Sequence, residues 1–101
     1  MAARRLLYLP TTVVLGREVP VASSFGARLL GLARLDRDEA GPGLLIPRCS
    51  SVHTFAMRFP LDLVFLDHAG RPCSIRREVP PRRIAWDRRA GAVLELRASG
   101  A

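Results

Sequence analysis

The side chains of this sequence that could do chemistry crowd into the segment from Gly43 to Gly70, GLLIPRCSSVHTFAMRFPLDLVFLDHAG. Cys49, His53 and Asp62 have the types of a nucleophile, a base and an orienting acid, groups that act together only when their polar atoms approach within about 3 Å. Spacing argues against such a triad. An extended run from Cys49 to His53 would put both on one face but roughly 13 Å apart, at about 3.3 Å per residue. Only a curled loop at Ser50 and Ser51 would bring them together. Cys49 therefore reads as a small buried hydrophobe and His53 as a histidine held by hydrogen bonds. A metal site using Cys49, His53, Asp62 and His68 lacks the short, repeated ligand spacings of structural zinc. No catalytic residue, metal or cofactor is assigned on these grounds, and a non-catalytic role is the expectation.

Asp62 is the residue that most needs a reason. LDLVFLD is apolar on both strand faces apart from Asp62 and the terminal Asp67, as in a strand covered on both sides. A buried carboxylate without partners costs several kcal/mol, so Asp62 must find a donor such as Arg58, His53 or the backbone amides of the preceding turn. It either locks the loop that enters the strand after Pro60 or touches a ligand. Read as extended chain, Phe55, Met57 and Phe59 share the face opposite Thr54 and Arg58. They are core residues that could also wall a cleft. The expected ligand-binding set is Asp62, His53, Arg58, Met57 and Phe55, gathered about the Met57 to Asp62 turn and suited to a sugar or another small polar ligand. Asp67 and His68 read instead as turn residues, the first bonding its own backbone and the second solvated.

Composition bounds the alternatives. A chain of 101 residues makes one domain, spanning residues 1–101 and able to bury roughly 65 % of its unfolded surface. Hydrophobic residues at 49 % and charged residues at 25 % suggest neither disorder nor membrane residence. All 16 basic residues are Arg and the net charge is +7. Arginine without lysine, beside many Ala, Gly and Pro residues, fits a GC-rich coding genome. The same side chains would also suit a phosphate-binding face. They run from Arg4 to Arg97 without one cluster, and aromatic interleaving is sparse, so nucleic acid is not the expected partner. Arg-mediated polyanion binding is the second reading, and a small Cys/His or metal-dependent hydrolase is the third. A small polar ligand or a partner protein is the first.

Cys49 and Cys73 are too far apart for a redox pair and too few for a disulfide framework. The apolar run after Arg4 and Arg5 is broken by Pro10, Thr11 and Thr12, so two short strands are expected there rather than a signal peptide, and a cytoplasmic location rather than export. No stretch reaches the length of a membrane span.

Strands are expected at Leu6 to Leu9, Val13 to Leu15, Glu18 to Ala22, Leu44 to Ile46, Val52 to Met57, Leu61 to Asp67, Arg71 to Val79, Arg82 to Trp86 and Ala92 to Leu96. Pro20 hints at an edge. His68, Ala69 and Gly70 should turn a hairpin. One helix, Ser24 to Ala33, is capped by Ser23 or Ser24 and has Phe25, Leu29 and Leu32 as the stripe that lies on a sheet. Gly31 marks a close backbone approach or the helix end. Asp36 to Gly43 is a solvated loop. The fold class is mostly β: a small antiparallel sandwich or barrel with one short helix.

GLLIP at Gly43 to Pro47, TFAM at Thr54 to Met57, PLDLVFLDHAG at Pro60 to Gly70 and VLEL at Val93 to Leu96 resemble, in order, the prokaryotic family known as domain of unknown function 192. LGLARL, Leu30 to Leu35, is similar to that family's Arg-Gly-Leu-Met helix, with Leu30 and Ala33 where Arg and Met often stand. The link from Met57 to Pro60 is also shorter than the Lys-Asn-Thr type connection of many members. The resemblance spans Glu18 to Gly100 and implies a compact, mostly β domain with no established activity.

Overall fold

The computed structural model describes residues 3–99. Along the chain lie α1 (Arg4–Leu7), β1 (Thr11–Val14), β2 (Arg17–Pro20), α2 (Phe25–Leu30), a 3-10 turn (Arg37–Glu39), β3 (Leu44–Pro47), β4 (Ser51–His53), β5 (Leu61–Leu66), β6 (Pro72–Val79), β7 (Ile84–Trp86) and β8 (Ala92–Arg97). A four-stranded antiparallel sheet in the order β3-β8-β5-β6 is the centre of the fold, and the hairpin β1-β2 and the ribbon β4-β7 complete a sandwich-like arrangement that does not close into a barrel.

Two-sided apolarity makes β5 the middle of that arrangement. All six of its residues are buried. Leu61, Leu63 and Phe65 join the main core with Leu32, Leu44, Ile46, Met57, Phe59 and Val93, under α1 and the β4-β7 ribbon. Val64 and Leu66 face the other way and meet Val19 and Leu94 beneath the β1-β2 hairpin. Alternation along one strand thus fills two cores, which is why LDLVFLD has no polar face. The β5-β6 hairpin closes as its residues demand: the Asp67 carboxylate accepts the Ala69 and Arg71 N–H groups, each at 2.9 Å, and the Gly70 N–H donates to the Asp67 carbonyl. These bonds also hold the Asp67 carboxyl below the usual carboxylate range, the one from Arg71 most strongly.

Four local expectations change. Leu6 to Leu9 is not a strand. Ala3 and Leu6 are the buried pair, a spacing that one helical turn satisfies, whereas a strand would have buried Tyr8, which is 77 % exposed. The strand begun at Val52 stops at His53, because Ala56 takes φ 64° and the chain turns. Phe55, Met57 and Phe59 therefore do not alternate on one face, and Phe55 is exposed while the other two are buried. Helix α2 has Ser24 as its cap, accepting the Ala27 N–H at 3.1 Å, but its stripe points away from the sheet: Phe25 is 77 % and Leu29 60 % exposed. Six residues end at Gly31, so Leu32 reaches the core from the following turn and not from the helix. Finally, Asp36 to Gly43 is a structured crossing rather than a solvated loop. It includes a 3-10 turn with a capping box between Asp36 and Glu39, and Ala40 is wholly buried.

Gly43 shows how tightly this crossing lies against the sheet. It takes φ 126°, and a Cβ there would sit 2.6 Å from Leu96 Cδ2 and 2.9 Å from the Glu95 carbonyl oxygen. Gly43→Ala is expected to cost about 2 kcal/mol or more, since strain and collision add. Gly26→Ala, in open space on α2, should be neutral or stabilising by up to about 1 kcal/mol. Urea unfolding of the two variants checks the contrast, and equal stabilities would contradict it.

Candidate ligand-binding site

Strand β8 alternates like β5, with Val93 in the main core and Leu94 in the second one, so Glu95 points with Val93 into the larger core. Its register places it between Leu44 of β3 and Leu63 of β5, and it is only 3 % exposed. The one hydrogen bond it accepts among the described residues is from the Leu32 N–H to Oε1, at 3.3 Å. Burial pushes the Glu95 carboxyl up to about 7, against the opposing pull of that N–H. Gly31 makes the approach feasible. It ends α2 at φ 54°, and a Cβ there would lie 2.8 Å from Glu95 Oε1. Arg5 of α1 holds the same turn, donating to the carbonyls of Gly31 and Ala33 at 2.8 Å each, which satisfies groups the helix end leaves free.

Glu95 faces a cavity of about 220 Å³ between the end of α2, β3, β4 and β7, bordered also by Arg28, Cys49, His53 and Met57 amid Leu30, Ile46, Val52 and Ile84. Cys49 and His53 thus border one cavity, with no hydrogen bond between them among the described residues. The Cys49 thiol donates to the Ser51 carbonyl at 2.9 Å, and burial pushes its pKa up. His53 Nδ1 accepts the Phe55 N–H at 3.2 Å, so the neutral ring carries its proton on Nε2 and offers no lone pair to a thiol. A thiol whose pKa is raised and an imidazole whose Nδ1 is already engaged are the reverse of an activated pair. Arg28 donates through Nη2 to the Arg48 carbonyl at 2.7 Å, while its Nε is buried without a partner among the described residues. No group of three or more His, Cys, Asp or Glu side chains converges as a metal cage among the described residues.

The five residues singled out from the sequence do not share one cleft. Met57 and His53 border the Glu95 cavity, and the exposed Phe55 ring stands tilted against His53 at 5.6 Å. Arg58 pairs at the surface with Asp36 at 3.0 Å. Asp62 points toward a different cleft, and its donors are neither Arg58 nor His53. Its Oδ1 accepts the Glu78 N–H at 2.8 Å, where β6 bulges with Glu78 at φ 52°, and its Oδ2 lies 3.7 Å from Arg77. Glu95 was missed although its signal equals that of Asp62: an acid between leucines at a core-facing position of an apolar strand. Arg28 had no such signal, because its place depends on the short α2.

Among families, the one described as "DUF192: Uncharacterized ACR" matches residues 11–101. No curated protein matches the chain. Two crystal structures are similar in fold. A proposed transcription regulator from Sinorhizobium meliloti 1021 is 23 % identical with a TM-score of 0.69, over 87 % of this chain and 78 % of the other. A protein of unknown function from Novosphingobium aromaticivorans DSM 12444 is 16 % identical with a TM-score of 0.65, over 98 % of this chain and 89 % of the other. At these identities the likeness is one of fold.

Both buried acids make stability measurable. Glu95 has its folded pKa raised from 4.5 to about 7, so between those values the native state holds a proton that the unfolded chain has released. Its contribution therefore falls as pH rises through that window, by a total on the order of 3 kcal/mol. Urea unfolding at about pH 5 and about pH 8 should show the loss, and Glu95→Gln should flatten it. Asp62→Ala strands the Glu78 N–H and should cost about 1 to 3 kcal/mol, whereas Asp62→Asn keeps an acceptor and should cost less.

Proposed function

We propose that this chain, which belongs to the DUF192 family, is a binding module for a small amphipathic molecule held in the Glu95 cavity. The observation that carries this reading is a carboxyl sunk in a central strand with a single N–H for company, facing a space that is mostly apolar. Structural acids are normally satisfied by their own fold, as Asp62 is by Glu78 and Arg77. A perturbed carboxyl in a cavity, left with capacity to accept, is the pattern of a recognition group.

The chemistry of the wall sets the ligand class. Leu30, Ile46, Val52, Met57 and Ile84 suit a short apolar body, and Glu95 suits a head group that donates hydrogen bonds. An amine is favoured over an alcohol, because its charge would stabilise ionised Glu95 in a low-dielectric site. His53, with its proton on Nε2, supplies a second polar edge to the same space. The Cys49 and His53 bonding pattern supports binding rather than nucleophilic attack.

The test uses n-butylamine and n-butanol as probes, followed by the Met57 methyl and His53 ring signals in NMR. Butylamine should shift both signals saturably and more strongly than butanol. Glu95→Gln, checked for folding by its thermal transition, should lose the preference. Shifts absent from the wild type, or unchanged in folded Glu95→Gln, would overturn the reading.

A further inference from the structure

Where β5 begins and β8 ends, a second cleft, of about 610 Å³, opens at the margin of the sheet and has nothing to do with Glu95. Four arginines from four elements meet there: Arg17 of β2, Arg37 of the 3-10 turn, Arg77 of β6 and Arg97 of β8, with Asp62 at the floor. Their partners are mainly carbonyls. Arg17 Nη1 donates to Pro42 O at 3.0 Å, Arg37 Nη2 to Ala98 O, and Arg97 Nη1 to Arg37 O at 3.5 Å. Among the described residues, the single ion pair these four form is Arg77 with Asp62, at 3.7 Å.

That bonding has an electrostatic consequence. A carbonyl orients a guanidinium without neutralising it, so three cationic forks, those of Arg17, Arg37 and Arg97, are directed by the backbone, and the fourth, Arg77, by Asp62, the one carboxylate that pairs with any of them among the described residues. Asp62 is itself committed, because Oδ1 holds the Glu78 N–H and the side chain is nearly buried. Of the acids near Arg37 in sequence, Asp36 pairs with Arg58, and Glu39 accepts the Asp36 N–H at 2.9 Å. Repulsion among like charges would ordinarily disperse such side chains, and here the tethers hold them about one opening.

We infer that this arginine cleft binds a compact, multiply charged phosphate anion. Guanidinium forks match phosphate oxygens two at a time, and several around one opening suit a diphosphate better than a single monoanion. A long polyanion would instead call for a basic stripe with stacking aromatics, and no aromatic residue lines this cleft. Asp62 has a defined part in it: it places Arg77 and the β6 bulge, and its charge sets a preference against ligands that crowd the floor.

The experiment is calorimetric titration of the full chain with inorganic pyrophosphate, and separately with phosphate, at about 0.15 M salt, where exposed charge attraction is screened within about 8 Å. Saturable binding of one pyrophosphate, tighter than phosphate, is expected. Arg17→Gln and Arg97→Gln should each weaken it about tenfold or more, the loss of a charge-assisted bond, with thermal transitions confirming that both fold. Arg88→Gln, which removes an equal charge away from the cleft, should leave it unchanged. Absence of pyrophosphate binding, an equal loss in Arg88→Gln, or tighter non-saturating binding of a single-stranded RNA homopolymer would overturn the assignment.

Discussion

A strand that is apolar on both faces has to be covered twice, and most of this fold follows from covering β5. Its neighbours β8 and β6 satisfy its backbone, one side is sealed by α1, the β4-β7 ribbon and the turn after α2, and the other by the β1-β2 hairpin. Because the sheet is only four strands wide, the covering pieces are short: a four-residue helix, a six-residue helix and three-residue strands. Few of them would persist alone, since short helices and two-stranded ribbons are marginal in water. They are held by specific polar ties into their neighbours. Thr54 is the plainest, a buried residue whose hydroxyl donates to the Pro80 carbonyl at 2.7 Å and accepts the Arg83 N–H at 2.8 Å, fastening β4 to the segment that leads into β7.

Double covering also explains why acids on the central strands become informative. On a sheet with one wet face, Asp62 or Glu95 would simply look outward. Here each must be resolved inside the protein, and the two are resolved differently. Asp62 lies near the sheet margin, where a bulge in β6 can turn an N–H toward it and an arginine can reach in from solvent. Glu95, one register position along on β8 and on the opposite face, lies between β3 and β5, and the bond its carboxyl accepts among the described residues comes from Leu32 in the turn after Gly31. The same sheet thus produces a satisfied carboxylate on one face and an under-satisfied one on the other.

How much of this was legible in the sequence depends on whether the signal was local. LDLVFLD, the Asp67 turn, the Ser24 cap and the helix end at Gly31 are set by neighbours within a few residues, and each expectation for them matches the structure. The resemblance to DUF192 is likewise borne by contiguous motifs and holds over residues 11–101. What could not be read depended on partners distant in sequence. Phe25 and Leu29 have helical spacing, but whether that stripe meets the sheet depends on where Gly31 stops the helix and how Arg5 pins the turn. Asp62 was expected to find Arg58, His53 or an amide of its own turn, and its partners are instead the Glu78 N–H, from a bulge sixteen residues later, and Arg77. The cleft expected around Met57 to Asp62 assumed that neighbours in sequence share a surface, whereas a turn at Ala56 and the pleat of β5 send Met57 and Asp62 to opposite sides.

Dispersion of arginines along a chain is a weak guide to where charge gathers in a small β fold. Antiparallel pairing returns residues distant in sequence to one end of the sheet, so Arg77 and Arg97 need no common motif to become neighbours, and Arg17 joins them from the covering hairpin and Arg37 from the crossing that precedes β3. Charge density on such a surface is governed by register and not by clustering in the chain. It follows that the informative quantity is how each arginine is partnered: one tied to a carboxylate, as Arg89 is to Asp87 at 2.8 Å, is spent on the fold, whereas one tied only to a carbonyl keeps its charge available to whatever enters the cleft.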